Sequence, residues 1–132
     1  MIRRRMMLKG SLKVIAVITC ASEYDAETKK ITFTATRCVP EGCEVVEHGV
    51  IITDSKGWSA FESNEKELFV IGANRTMKST AKTTGLNGTY VASKTCTETD
   101  TWYGKAFLIY LDKDGEEHTI YSEVTSCQAI VN

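Results

Sequence analysis

Apolar and polar residues alternate with a period of two along several stretches of the chain. In Lys30-Ile31-Thr32-Phe33-Thr34-Ala35-Thr36-Arg37, Ile31, Phe33 and Ala35 share one face and Thr32, Thr34 and Thr36 the other. That is the pattern of a half-buried strand. Val45–Thr53 predicts a second strand, with Val46, His48, Val50 and Ile52 on one face. Trp102–Leu111 predicts a third, with Trp102, Gly104, Ala106, Leu108 and Tyr110 on one face. Its other face carries Tyr103, Lys105, Phe107, Ile109 and Leu111, so both faces are expected to be covered. Thr119–Val124 is a fourth, joined to the third through Asp112-Lys113-Asp114-Gly115. An Asp-Gly turn between two alternating runs is the strongest short-range hairpin signal. Weaker strands are expected at Leu12–Thr19, Glu67–Ile71, Thr89–Lys94 and Cys127–Val131. Asp54–Glu65 and Gly72–Gly88 read as polar connections, and no segment keeps a helical period over three turns.

Composition supports the same class. The chain of 132 residues holds 17 Thr, 10 Val and 10 Ile against 6 Leu. β-branched side chains lose rotamer freedom in helices and pack well on a pleated surface. Pro40 is the only proline, which leaves nearly every N–H free for sheet ladders. The expected fold is an all-β sandwich of about seven antiparallel strands.

Charge divides the chain. The formal net charge is −1, yet Arg3, Arg4, Arg5, Lys9 and Lys13 stand in the first 13 residues without an acid. The rest is net acidic, which excludes a wholly basic nucleic-acid binder. We therefore divide the chain into a basic arm, residues 1–11, and a sandwich domain, residues 12–132. The arm is either a solvated tail that docks on a neighbouring acidic surface or the start of a secretory signal processed before Cys20.

The stretch Trp102-Tyr103-Gly104-Lys105-Ala106-Phe107-Leu108-Ile109-Tyr110, then Asp114-Gly115 and Thr119-Ile120-Tyr121-Ser122-Glu123-Val124, resembles the last hairpin of immunoglobulin-like and fibronectin type III-like modules. Such modules occur in surface proteins of Gram-positive bacteria and in their phages. Ile31–Arg37, Val39-Pro40-Glu41-Gly42 and Glu47–Ile51 resemble their early strands and turn. The resemblance implies a non-enzymatic structural or adhesion module on a virion or a bacterial cell surface. Its partner would be a protein, a second copy or a glycan, bound through arm, edge strand or loops.

Catalytic signals are weak. The chain contains no Gly-x-Ser-x-Gly, no His-Glu-x-x-His and no phosphate loop. His48 and His118 are the only histidines, and each reads as a hydrogen-bonded strand residue before it reads as a base. A small cysteine hydrolase and a lipid-anchored binding protein processed at Cys20 are the competing readings. The five cysteines, Cys20, Cys38, Cys43, Cys96 and Cys127, cannot all pair within one chain. They read as reduced packing residues, with a Cys38–Cys43 or Cys96–Cys127 disulfide as the alternative. No cofactor, no metal, no specific nucleic acid and no transmembrane segment are expected. Partner contacts are expected at Arg3, Arg4, Arg5, Trp58, Phe61, Arg75, Lys78 and Lys82. Loops on a rigid scaffold concentrate binding, although Trp58 and Phe61 would equally serve to plug the sandwich.

Overall fold

The computed structural model describes residues 16–61, 69–73, 76–81 and 85–131. The expected contacts Arg3, Arg4, Arg5, Arg75 and Lys82 lie outside these residues, as does the first half of the strand expected at Leu12–Thr19. Among the described residues eight strands and one short helix follow in order: β1 Val17–Asp25, β2 Lys30–Cys38, β3 Glu44–Thr53, α1 Ser55–Ala60, β4 Met77–Ala81, β5 Asn87–Thr95, β6 Asp100–Leu111, β7 Glu117–Tyr121 and β8 Thr125–Ala129. They form two antiparallel sheets, so the molecule is an all-β sandwich. One sheet runs β1-β2-β5; the other runs β4-β3-β6-β7, with β8 also on β6.

The alternating faces meet between the sheets. Ile31, Phe33, Ala35, Val45, Val50, Ala106 and Leu108 are buried in one core, with Ile52, Trp102, Tyr110 and Ile120 packed at its edge. Val45 joins this face because β3 carries a bulge between Val45 and Glu47, which shifts the pairing with β6 by one residue. Val46, placed inward by strict alternation, is the extra residue, and Val45 takes the core position. The second face of β6 is covered too. Ile51 and Phe107 are buried beneath Phe61 and Phe69, with Trp58, Ile71, Ala73, Ile109 and Tyr121 around them.

Local chemistry explains the elements that alternation does not predict. Asp54 caps α1 by accepting a 2.8 Å hydrogen bond from the Gly57 N–H. Residues 69–71, the described part of the strand expected at Glu67–Ile71, instead run into a turn, held by the Ala73 N–H donating to the Val70 carbonyl. Their apolar side chains serve as a lid on β3 and β6. The strand expected at Thr119–Val124 breaks after Tyr121. There the Ser122 N–H donates to the Ala106 carbonyl, while Ser122 Oγ accepts from the Ala106 N–H. This pair splices β7 to β8 along the same edge of β6. The Asp-Gly hairpin forms as expected, with Gly115 at φ +84.

Candidate functional site

The sandwich has two lateral sides, and they differ. On one, Ser22 Oγ shares a 2.8 Å hydrogen bond with Thr125 Oγ1, and Tyr24 donates to the Ile130 carbonyl at 3.1 Å. These bonds stitch β1 to the β8 segment. On the other side the edges β4 and β5 face each other, and Ser79 Oγ meets Tyr90 OH between them. Beyond that bond the edges leave a cleft of about 260 Å³. Phe33, Val50 and Ile52 line it from within, Met77–Ser79 from β4 and Ala92–Lys94 from β5.

The composition of the cleft follows from strand parity. Ile52 pairs with Met77 and Val50 with Ser79, so Met77 and Ser79 share the inward face of their sheet. On β5, Tyr90, Ala92 and Lys94 are half-buried while Thr89, Val91 and Ser93 are exposed. Lys94 Nζ lies 5.0 Å from the centre of the Trp102 ring, at one end of the opening. Lys78 turns the other way. Its ammonium lies 3.2 Å from Glu47 Oε2 and 5.8 Å from the centre of the Phe107 ring.

The other end of the β5 inner face carries a buried cation. Arg37 Nη1 donates to His48 Nδ1 at 2.9 Å, and Arg37 Nε donates to the Gly85 carbonyl at 2.9 Å. A Cβ at residue 88 would stand 2.8 Å from Arg37 Nη2, so Gly88 makes room for the guanidinium. His48 is fully buried, and among the described residues Nε2 has no hydrogen-bond partner. Burial first, and the Arg37 charge second, push its pKa down to about 4. The imidazole is thus neutral at pH 7 and accepts from Arg37.

The ladder shows which β5 backbone groups are free. The Cys96 N–H donates to the Lys29 carbonyl and the Val39 N–H to the Leu86 carbonyl. With Lys30 opposite Thr95 and Cys38 opposite Asn87, the even-numbered β5 residues bond to β2. Thr89, Val91 and Ser93 therefore direct N–H and C=O away from the sheet. Among the described residues β5 has no second ladder partner.

Of the expected contact residues, Trp58 and Phe61 sit in and just after α1. Trp58 stacks on Tyr103 at 4.4 Å between ring centres and meets Phe69 edge-on, while Phe61 is buried. Both pack the second core; among the described ones Lys78 lines the cleft, although its ammonium turns away from it. Lys94, Val91 and the β5 edge were missed, because a cleft made by two edges distant in sequence has no local pattern. The acid-poor run around Lys78 was its only sequence trace.

Burial makes three of the thiols poor nucleophiles. Cys20 lies within β1 opposite Ala35, and burial pushes its thiol up to about 11. Burial likewise raises the Cys96 and Cys127 thiols. Thiols so placed stay protonated and inert. All five cysteines are free. Cleavage before Cys20 would remove Val17–Thr19 and three rungs of the β1–β2 ladder. Asp112, Glu116 and His118 bring ligand-type atoms within 4.8 Å of one another in the hairpin. Asp112 Oδ1 accepts from the Asp114 and Glu116 N–H groups and Oδ2 bonds His118 Nε2, so these groups form the turn. The His118 hydrogen bond, ahead of the backbone ones, holds the Asp112 carboxyl below its ordinary value.

No family model matches the chain, and no curated protein matches it. Two solved structures align weakly. A candidate ApaA protein from Bordetella pertussis gives a TM-score of 0.40 at 12% identity, over 88% of this chain and 91% of that one. A second structural-genomics target gives 0.39 at 13% identity, over 88% of this chain and 84% of that one. No described helix is long and apolar enough to cross a membrane.

Proposed function

We propose that the chain is a non-enzymatic interaction module of a phage virion or bacterial surface, which holds a protein or glycan partner at its β4–β5 side. The open β5 edge beside an apolar cleft is the observation that carries this reading. An unpaired edge strand is a template for pairing, and proteins that do not use one usually shorten, charge or cover it. Among the described residues the nine-residue β5 has none of these devices apart from Lys94 near its end. The strand order adds support. A β1-β2-β5 sheet facing β4-β3-β6-β7 parallels the A-B-E and C′-C-F-G grouping of immunoglobulin-type sandwiches. The placement of the histidines and the inert thiols favours binding over catalysis.

The test combines turnover with footprinting. The purified chain is assayed on ester, peptide and glycoside substrates before and after alkylation of its thiols. It is then mixed with purified virions or bacterial envelopes, and amide exchange maps the protected surface. We expect no turnover and protection at β4 and β5. Hydrolysis abolished by alkylation, or protection confined to other strands, would overturn the reading.

A further inference from the structure

We infer that the β4–β5 side takes an extended, acidic peptide segment as an added strand on β5, with apolar side chains in the cleft. This rests on the reading above and names the chemistry of its partner. Strand addition needs free main-chain groups at the edge and pockets for alternate side chains. Thr89, Val91 and Ser93 supply the first, since their N–H and C=O groups face away from β2. The cleft supplies the second. Every other residue of a strand laid beside β5 points between the two sheets, where Phe33, Val50 and Ile52 wait. A volume of about 260 Å³ suits one or two apolar side chains better than a whole small-molecule ligand.

Charge selects the partner. Residues 72–97 contain Arg75, Lys78, Lys82 and Lys94 and no acid, in a chain of net charge −1. Within the described structure, Lys94 stands at one end of the β5 inner face and Arg37 lies beneath Gly88 at the other. An incoming strand with a carboxylate at each end would set one of them beside Lys94, in either direction. A second copy fits less well. Pairing β5 with itself about Val91 would set Lys94 opposite Gly88 of the partner and so beside the partner's buried guanidinium, a like-charge contact. The exposed apolar side chains of Val91 and Met77, 54% and 44% exposed, lie on and beside this edge.

The test uses fluorescence anisotropy with a labelled peptide of sequence glutamate-threonine-leucine-threonine-leucine-threonine-glutamate. The full chain should bind it saturably. Val91→Pro removes an outward N–H without touching the β2 ladder, since proline is tolerated on an edge whose N–H faces solvent. Lys94→Glu reverses the charge at one end. Each variant should weaken binding by about tenfold or more while keeping the wild-type melting temperature. A control peptide with lysine in place of glutamate should lose a similar factor. Absence of saturable binding, or unchanged affinity in Val91→Pro, overturns the strand-addition proposal. A dimer that Val91→Pro dissociates would assign the edge to a second copy and also overturns it. If the peptide fails while envelopes or virions still protect β4 and β5, the interaction module stands and only its peptide chemistry falls.

Discussion

At the scale of single residues, the buried Arg37–His48 pair ties acid sensitivity to one side chain. Folding holds His48 near a pKa of 4, whereas the unfolded chain returns it to its ordinary value of 6.5. Between these values the unfolded state carries the extra proton, so stability falls as pH drops from about 6.5 toward 4 and is flat in this group below that. The folded state should lose roughly 3 kcal/mol across that window relative to a His48→Gln variant. Urea titrations of both proteins at several pH values check this, and parallel pH profiles would refute it. Core residues separate in the same way. Phe33 is almost fully buried, and its Cε1 lies 2.6 Å from where a Cβ on Gly104 would be. Phe33→Ala should cost about 3–5 kcal/mol. Trp102 is only half-buried beneath Lys94, so Trp102→Ala should cost clearly less in the same denaturant assay. The sequence treats the two aromatics alike, because alternation assigns a face but not a depth.

At the scale of elements, legibility depended on whether both neighbours of a strand were filled. β2, β3 and β6 lie between other strands, and their alternation of Val, Ile, Phe and Thr is complete enough to read directly. β4 was not predicted. Met77-Lys78-Ser79-Thr80-Ala81 has one large apolar residue, because an edge strand over a cleft has little to bury. The strand expected at Leu12–Thr19 stops too soon, since Val14–Ile18 is more apolar than Ser22–Asp25, yet β1 continues to Asp25. Phe69 and Ile71 show the opposite error, as a covering turn needs the same apolar residues as a strand. The attachment of β4 rests on one glycine. A Cβ at residue 49 would stand 2.1 Å from the Ser79 carbonyl oxygen and 3.0 Å from Phe107 Cε1. Gly49→Ala must therefore push β4 off β3, at about 1–3 kcal/mol for the overpacking. Amide exchange should rise across β4 while β2 stays protected. Unchanged protection of β4 would show that the strand is held by something other than this close approach.

At the scale of the whole molecule, a small sandwich must seal two lateral sides, and this one seals them unequally. Ser22 and Tyr24 join β1 to the β8 segment by hydrogen bonds that span more than one hundred residues of chain. Across the β4–β5 opening the described residues place the single Ser79–Tyr90 bond. Sub-global opening starts where few bonds and little buried apolar area must be given up, so it should start at β4 and β5. Tyr90→Phe removes that bond and keeps the ring against His48, 6.1 Å away between ring centres. The global cost should be about 0.5–1.5 kcal/mol, the usual worth of one hydrogen bond. The kinetic effect should be local: faster exchange along β4, with β1 and β8 amides unchanged. Tyr24→Phe, the matched change on the closed side, should leave β4 exchange as it was and act on β8. Equal acceleration of both sides by either substitution would mean that the two edges open together. The difference between the sides would then be one of shape alone, and a strand bound at β5 would have to open the whole sandwich to enter.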